Sequence, residues 1–218
     1  MSETQVRIEE KILNEVRQMF DGLTSNVTLH MFTNKNHCLL CNETLSLAEQ
    51  VANQSDLVTL DHCECEITSE KAQQWKIERH PAIAIEGTGK GLIRFFGIPS
   101  GYEFGSLIES IIMAGTDGSI DLDPSVVEEI QKIDRPLHLQ VFVTPTCPYC
   151  PRAVLTAFKF AMLNENITAD MIEATEFQEL SMQYQVQGVP KTVINDKVDV
   201  VGAVPEQMLL AKVKEALE

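Results

Sequence analysis

The sequence predicts an α/β protein built from two tandem copies of one unit, each a central mixed β-sheet flanked by helices. Three observations carry this reading. A Cys-x-x-Cys pair occurs at Cys38 and Cys41 and again at Cys147 and Cys150, and a proline follows each pair, at Pro81 and Pro190. All three positions recur at one offset, 109 residues, and an internal repeat outranks local propensity as a fold signal. Each pair is preceded by an apolar, β-forming run and followed by a helical pattern.

The elements of the first copy follow in order. Ile8, Ile12, Val16 and Phe20 fall at helical spacing, so residues 6–20 read as an amphipathic helix ended by Asp21-Gly22. Residues 27–33 are strand-like. Cys38-Leu39-Leu40-Cys41 leads into a helix over 43–51, then a strand over 57–67 and a short helix over 69–77. His80-Pro81 introduces a strand over 82–85. A glycine-rich loop, 87–91, turns the chain into 92–96, Gly97 closes the hairpin, and 102–113 is helical. Residues 115–119 read as a connector.

The second copy repeats the plan. Asp123-Pro124 is an N-cap with proline at the first helical position, opening a helix through Ile130. A strand over 137–143 reaches Cys147 and Cys150, with a helix to about Leu163. A strand over 169–174 and a helix over 177–184 precede Val189-Pro190. Strands over 191–194 and 198–201, Gly202 and a helix over 205–217 complete the copy. The hairpin glycines, Gly97 and Gly202, differ by 105, a four-residue shortening of the second hairpin loop. The units are set at 1–115 and 116–218.

The 218 residues carry a net charge of −15, with Lys and Arg 9 against Asp and Glu 16 up to Gly115 and 8 against 16 beyond. Acidity spread over both halves disfavours nucleic acid and anionic membranes as partners. No stretch approaches the roughly 20 apolar residues of a bilayer span, and residues 1–10 carry no signal-peptide pattern, so a cytoplasmic location is expected. Six cysteines in such a compartment point to redox or metal use rather than structural disulfides.

The chemistry concentrates on residues 141–151, Val-Phe-Val-Thr-Pro-Thr-Cys-Pro-Tyr-Cys-Pro. A strand, Cys-x-x-Cys and a helix in that order form a thioredoxin-like redox arrangement. Cys147 is expected at a helix N-terminus, where unpaired N–H groups and the helix dipole favour its thiolate, with Cys150 one turn inside as the resolving thiol. Half of a zinc knuckle, with Cys38 and Cys41 as candidate partner pair, is the alternative for Cys147 and Cys150, but no histidine pair completes an obvious site. No metal is expected.

The chain resembles the glutaredoxin-like protein disulfide oxidoreductases, a family of two tandem thioredoxin units with one Cys-x-x-Cys each. The residues that carry the resemblance are the run 94–104 (Arg-Phe-Phe-Gly-Ile-Pro-Ser-Gly-Tyr-Glu-Phe), the run 141–151 and Val189-Pro190-Lys191. The resemblance implies dithiol–disulfide exchange on protein substrates, with oxidation, reduction and isomerisation, and a thioredoxin-reductase-like flavoprotein as reductant. It implies cis bonds at Pro81 and Pro190, where the backbone of His80 or Val189 pairs with an extended substrate strand. Pro148 and Tyr149, between the cysteines, also suit a glutaredoxin and count as substrate-binding candidates. The first pair departs from the pattern in carrying two leucines after a histidine, which leaves its activity open.

Other residues receive weaker readings. His37 and His80 could stabilise the Cys38 thiolate when protonated, or simply sit in loops. Cys63 and Cys65 share a strand face. They read as packed, reduced thiols rather than a soft-metal site with His62. No buried acid is evident on the strand before either pair; Glu173 could accept the proton of the resolving thiol or be a solvent-facing or paired side chain. Lys191 could add charge near Cys147 or be solvated. No G-x-G-x-x-G occurs, so no flavin or nicotinamide binding is expected, although the N-terminal electron-relay domain of peroxiredoxin reductases is a further relative. The alternatives are a glutathione-dependent dithiol glutaredoxin and a redox-insensitive holdase using apolar surface around Leu39-Leu40. Nothing predicts the oligomeric state.

Overall fold

A computed structural model describes residues 6–36, 38–116 and 120–218. His37 and most of the expected connector therefore lie outside the described residues. The first half runs α1 (Glu10–Phe20), β1 (Val27–Thr33), α2 (Cys41–Ala52), β2 (Val58–Glu64), α3 (Glu70–Gln74), β3 (Ala82–Glu86), β4 (Leu92–Phe96) and α4 (Glu103–Ala114). The second repeats it: α5 (Pro124–Gln131), β5 (Leu137–Val143), α6 (Cys150–Leu163), β6 (Ile167–Glu173), α7 (Gln178–Gln183), β7 (Lys191–Ile194), β8 (Val198–Val201) and α8 (Glu206–Leu217).

Each half forms four strands by the same rule. The first strand pairs parallel with the second and antiparallel with the third, which pairs antiparallel with the fourth. The halves then share a sheet, because β4 runs parallel to β6, giving eight strands in the order β2-β1-β3-β4-β6-β5-β7-β8. Following the directions across, β1, β4, β6 and β5 all point the same way. Both Cys-x-x-Cys pairs follow parallel strands, β1 and β5, and so lie at one end of the sheet.

Alternation along the strands divides the core between two faces. Ile83, Ile85 and Phe95 join the larger cluster with α1, α2, α4 and α6, while Ala82, Ala84 and Phe96 face the smaller one with Ala72 of α3 and Leu180 of α7. Across the junction, fully buried Arg94 on β4 sits in register with Asp170 on β6, and two N–H···O bonds of 2.8 Å join their forks. His138 Nε2 lies 2.6 Å from the same carboxylate. Burial alone would raise the Asp170 pKa, but Arg94 and His138 outweigh it and hold the carboxyl below its ordinary value.

The start of the first helix departs from expectation. The first helix starts at Glu10 because residues before it are tied to α2: Gln50 and Ser46 side chains donate to the Val6 carbonyl, and the Ile8 N–H donates to Gln50 Oε1. Those tertiary bonds hold the segment outside the helix despite its helical spacing. No helix among the described residues is long and apolar enough to cross a membrane.

Candidate active site

Both pairs are closed as disulfides, Cys38–Cys41 and Cys147–Cys150, each with Cα atoms 5.5 Å apart. The second cysteine of each pair, not the first, opens the helix: Cys41 is the first residue of α2 and Cys150 the first of α6. Cys147 therefore precedes the helix by a turn whose Cys150 N–H donates to the Cys147 carbonyl at 3.4 Å. The α6 N-terminus still lies beside the pair, and its first turn carries no acidic residue. Cys147 is 7% exposed and Cys150 0%, so Cys147 is the less buried of the two. At the other pair, Cys38 is half-buried, Cys41 is buried, and the Asn34 N–H donates to Cys41 Sγ at 3.4 Å.

The peptide bonds His80–Pro81 and Val189–Pro190 are both cis. Leu39 and Tyr149, inside the two pairs, are 85% and 71% exposed. Pro148 is likewise exposed, Val189 half-buried and Pro190 buried. A large hydrophobic side chain thus stands in solvent at each pair.

Several supporting residues behave differently from their sequence reading. Burial lowers the His80 pKa, with Glu66 opposing, and its Nε2 has no hydrogen-bond partner among the described residues. That shift works against the protonated form that would stabilise a Cys38 thiolate. Lys191 is buried rather than solvated, and its ammonium is held by the Tyr184 carbonyl at 2.7 Å and Asp199 at 2.5 Å. Glu173 is buried, but its carboxylate accepts from Thr175 N–H, Thr175 Oγ1 and Glu176 N–H, closing the turn after β6. Cys63 and Cys65 are bonded to each other rather than reduced, Cys65 following directly after β2 and both packing against the smaller core cluster.

Sequence reading gave no role to Glu103. It lies in the first turn of α4, buried; Ser106 Oγ donates to its Oε2 at 2.6 Å and its Oε1 has no partner among the described residues. Burial pushes its pKa up to about 7, against the Ser106 bond. The start of α4 docks on the loop before Cys147: the Tyr102 N–H donates to the Pro145 carbonyl at 3.0 Å. Gly101 makes this approach possible, with φ +60° and the Pro145 carbonyl where a Cβ would stand. Glu176 answers from the other half. Its Oε1 accepts from the Ile98 N–H at 2.6 Å, and burial, with Glu173 and Glu43 adding to it, pushes it to about 7.

The fold and the paired cysteines define a thioredoxin-like disulfide oxidoreductase with two Cys-x-x-Cys motifs. The family described as Thioredoxin domain matches residues 137–215. The chain is similar to a protein disulfide oxidoreductase of Aeropyrum pernix K1, at 30% identity and TM-score 0.89 over 97% of this chain and 94% of that one. It is also similar to the F component of the alkylhydroperoxide reductase of Enterococcus faecalis, at 25% identity and TM-score 0.85 over 94% of this chain and 99% of the solved one. The corresponding F component of the Pseudomonas aeruginosa alkyl hydroperoxide reductase is 27% identical over 78% of the chain. The match spans only 31% of that curated relative's length. The chain belongs to the family of tandem thioredoxin-fold protein disulfide oxidoreductases.

Proposed function

We propose that the chain catalyses thiol–disulfide exchange on protein substrates, with one unit over 1–115, the other over 116–218, and both Cys-x-x-Cys pairs active. The observation that carries this reading is the geometry of the second pair, Cys147 bonded to the more deeply buried Cys150 at the start of α6. In the reducing direction, the Cys147 thiolate attacks a client disulfide, forming a mixed disulfide and releasing one client thiolate. Cys150, deprotonated, then attacks Cys147 and releases the second client thiol, leaving the enzyme oxidised. Run backwards, the same steps oxidise a client dithiol. Glu103, buried in the first turn of α4 with a pKa raised to about 7, belongs to the segment held against the loop before Cys147, which makes it the candidate acceptor for the Cys150 proton.

Pro81 and Pro190, with His80 and Val189 before them, receive the client backbone beside the cysteines, while Leu39, Pro148 and Tyr149 contact its side chains. A thioredoxin-reductase-like flavoprotein supplies electrons; the reductase named among the relatives fits such a partnership. Insulin reduction with NADPH and such a reductase tests the reading. Wild type should turn over, and Cys147→Ser should lose at least about a hundredfold, on the scale of a missing nucleophile. No turnover by wild type ends the proposal, and reduction by glutathione alone at the same rate favours a glutaredoxin. Loss with Cys147→Ser but not Cys38→Ser makes the first pair auxiliary.

A further inference from the structure

Cys63 and Cys65 take no part in the exchange proposed above. Cys63 lies near the end of β2, an outer strand of the sheet, and Cys65 just past it. At i and i+2 they project to one face beside Phe32, the β1 partner of Cys63. Their Cα atoms are 5.6 Å apart, inside the range a disulfide spans, and the structure joins them. Both are half-buried at the rim of the smaller core cluster rather than sealed in it.

The bridge sits at the end of the sheet that carries the redox pairs. The Cys65 N–H donates to the Thr33 carbonyl at 3.0 Å, and the N–H of the following residue, Asn34, donates to Cys41 Sγ at 3.4 Å. Other uses fit poorly. A bridge across two neighbours in sequence removes little freedom from the unfolded chain, so it is a weak staple. The side chains present do not make a metal site either. His62 points to the opposite face, where its Nε2 meets Thr33 Oγ1 at 2.7 Å, and no cluster of three metal-binding side chains occurs among the described residues.

We propose that Cys63 and Cys65 form a third redox-active pair, exchanging with the dithiol of a partner protein. A partner thiolate attacks one sulfur, forming an intermolecular disulfide and expelling the other as a thiolate that takes up a proton. The partner's second thiol, on losing its proton, attacks its own bridged sulfur and frees the remaining cysteine. The partner leaves as a disulfide, having given two electrons and two protons, and Cys63 and Cys65 become thiols. The reverse run oxidises a partner dithiol.

The test uses the full chain with Cys38, Cys41, Cys147 and Cys150 all changed to serine, so its outcome is independent of the function proposed above. The variant is equilibrated at graded ratios of reduced to oxidised dithiothreitol, quenched, alkylated and read by the mass of the peptide carrying both residues. The expected result is one two-electron transition from a bridged peptide to a doubly alkylated one, in the folded chain. Two alkylated thiols at every ratio, or a bridge that survives the most reducing one, overturns the proposal. In parallel, the oxidised wild type should consume three equivalents of dithiothreitol per chain and the Cys63→Ser, Cys65→Ser variant two. Equal consumption overturns it too. Reduced thioredoxin then replaces dithiothreitol. Reduction of the pair in the four-serine variant supports a protein dithiol as donor. Reduction only when Cys38 and Cys41 are present identifies the chain's own first pair as donor and overturns the partner.

Discussion

Glu103 shows how one carboxyl can tie stability to pH. Its folded value near 7 stands above the ordinary 4.5, so the folded state holds its proton where the unfolded chain releases it. Its contribution is complete below pH 4.5 and fades as pH rises to 7. Glu103→Gln keeps the neutral form, so the variant should match wild type near pH 4 and exceed it at pH 8 by about 3 kcal/mol, read from urea unfolding. If Glu103 also accepts the Cys150 proton, the same variant should lose turnover about tenfold or more and flatten its pH profile near 7. The four Cys-x-x-Cys cysteines were legible from spacing alone. Glu103 was not, because an acid in a first helical turn reads as an exposed partner for the dipole. What buries it is the docking of α4 on the other half, a contact no local pattern records. Lys191 misled for the same reason: lysine is rarely buried, and its carbonyl and carboxylate partners become neighbours only when β7, β8 and the end of α7 assemble.

Among the elements, β5, β7 and β8 begin and end where the sequence placed them, since apolar β-formers bounded by turn residues leave little choice. The α1 start was not legible, because Gln50 is 42 residues from the Ile8 N–H it holds. Nor was the start of α6 at Cys150, which leaves Cys147 in the preceding turn. The entrance to α4 is the most exacting junction. Gly101→Ala would force a Cβ onto the Pro145 carbonyl at a positive φ, and should cost about 1–3 kcal/mol. Because that contact holds the loop before Cys147, the variant should also slow insulin reduction at saturating client, with Cys38 alkylation unchanged. At α5, Asp123 Oδ1 accepts the Ser125 N–H at 2.8 Å, so Asp123→Ala should lower stability by about 1 kcal/mol.

At the scale of the molecule, the repeat predicted two units but not their fusion into one sheet. The β4–β6 pairing joins strands from different copies, and the offset of 109 is silent about it. Its seal is the Arg94–Asp170 pair. Arg94→Met leaves a buried carboxylate without its guanidinium and should destabilise by about 3–5 kcal/mol, while adding Asp170→Leu should restore much of the loss. Because Asp170 is held below its ordinary pKa, its share of stability is present above the unfolded value and is lost as pH falls through the folded one. Acid unfolding should therefore begin at higher pH in the Arg94→Met variant than in wild type.

The parallel β4–β6 join also bears on the proposed exchange. From β1 to β5 there are four strand spacings, about 19 Å at the usual separation. Both pairs open at the same end of the sheet, so under the proposed function a client caught covalently at one is tethered within a domain's width of the other. Its remaining cysteines then confront the second pair at an effective concentration set by the tether rather than by solution, in the millimolar range for a short flexible one. An antiparallel join would have sent the pairs to opposite ends and made each encounter a separate collision.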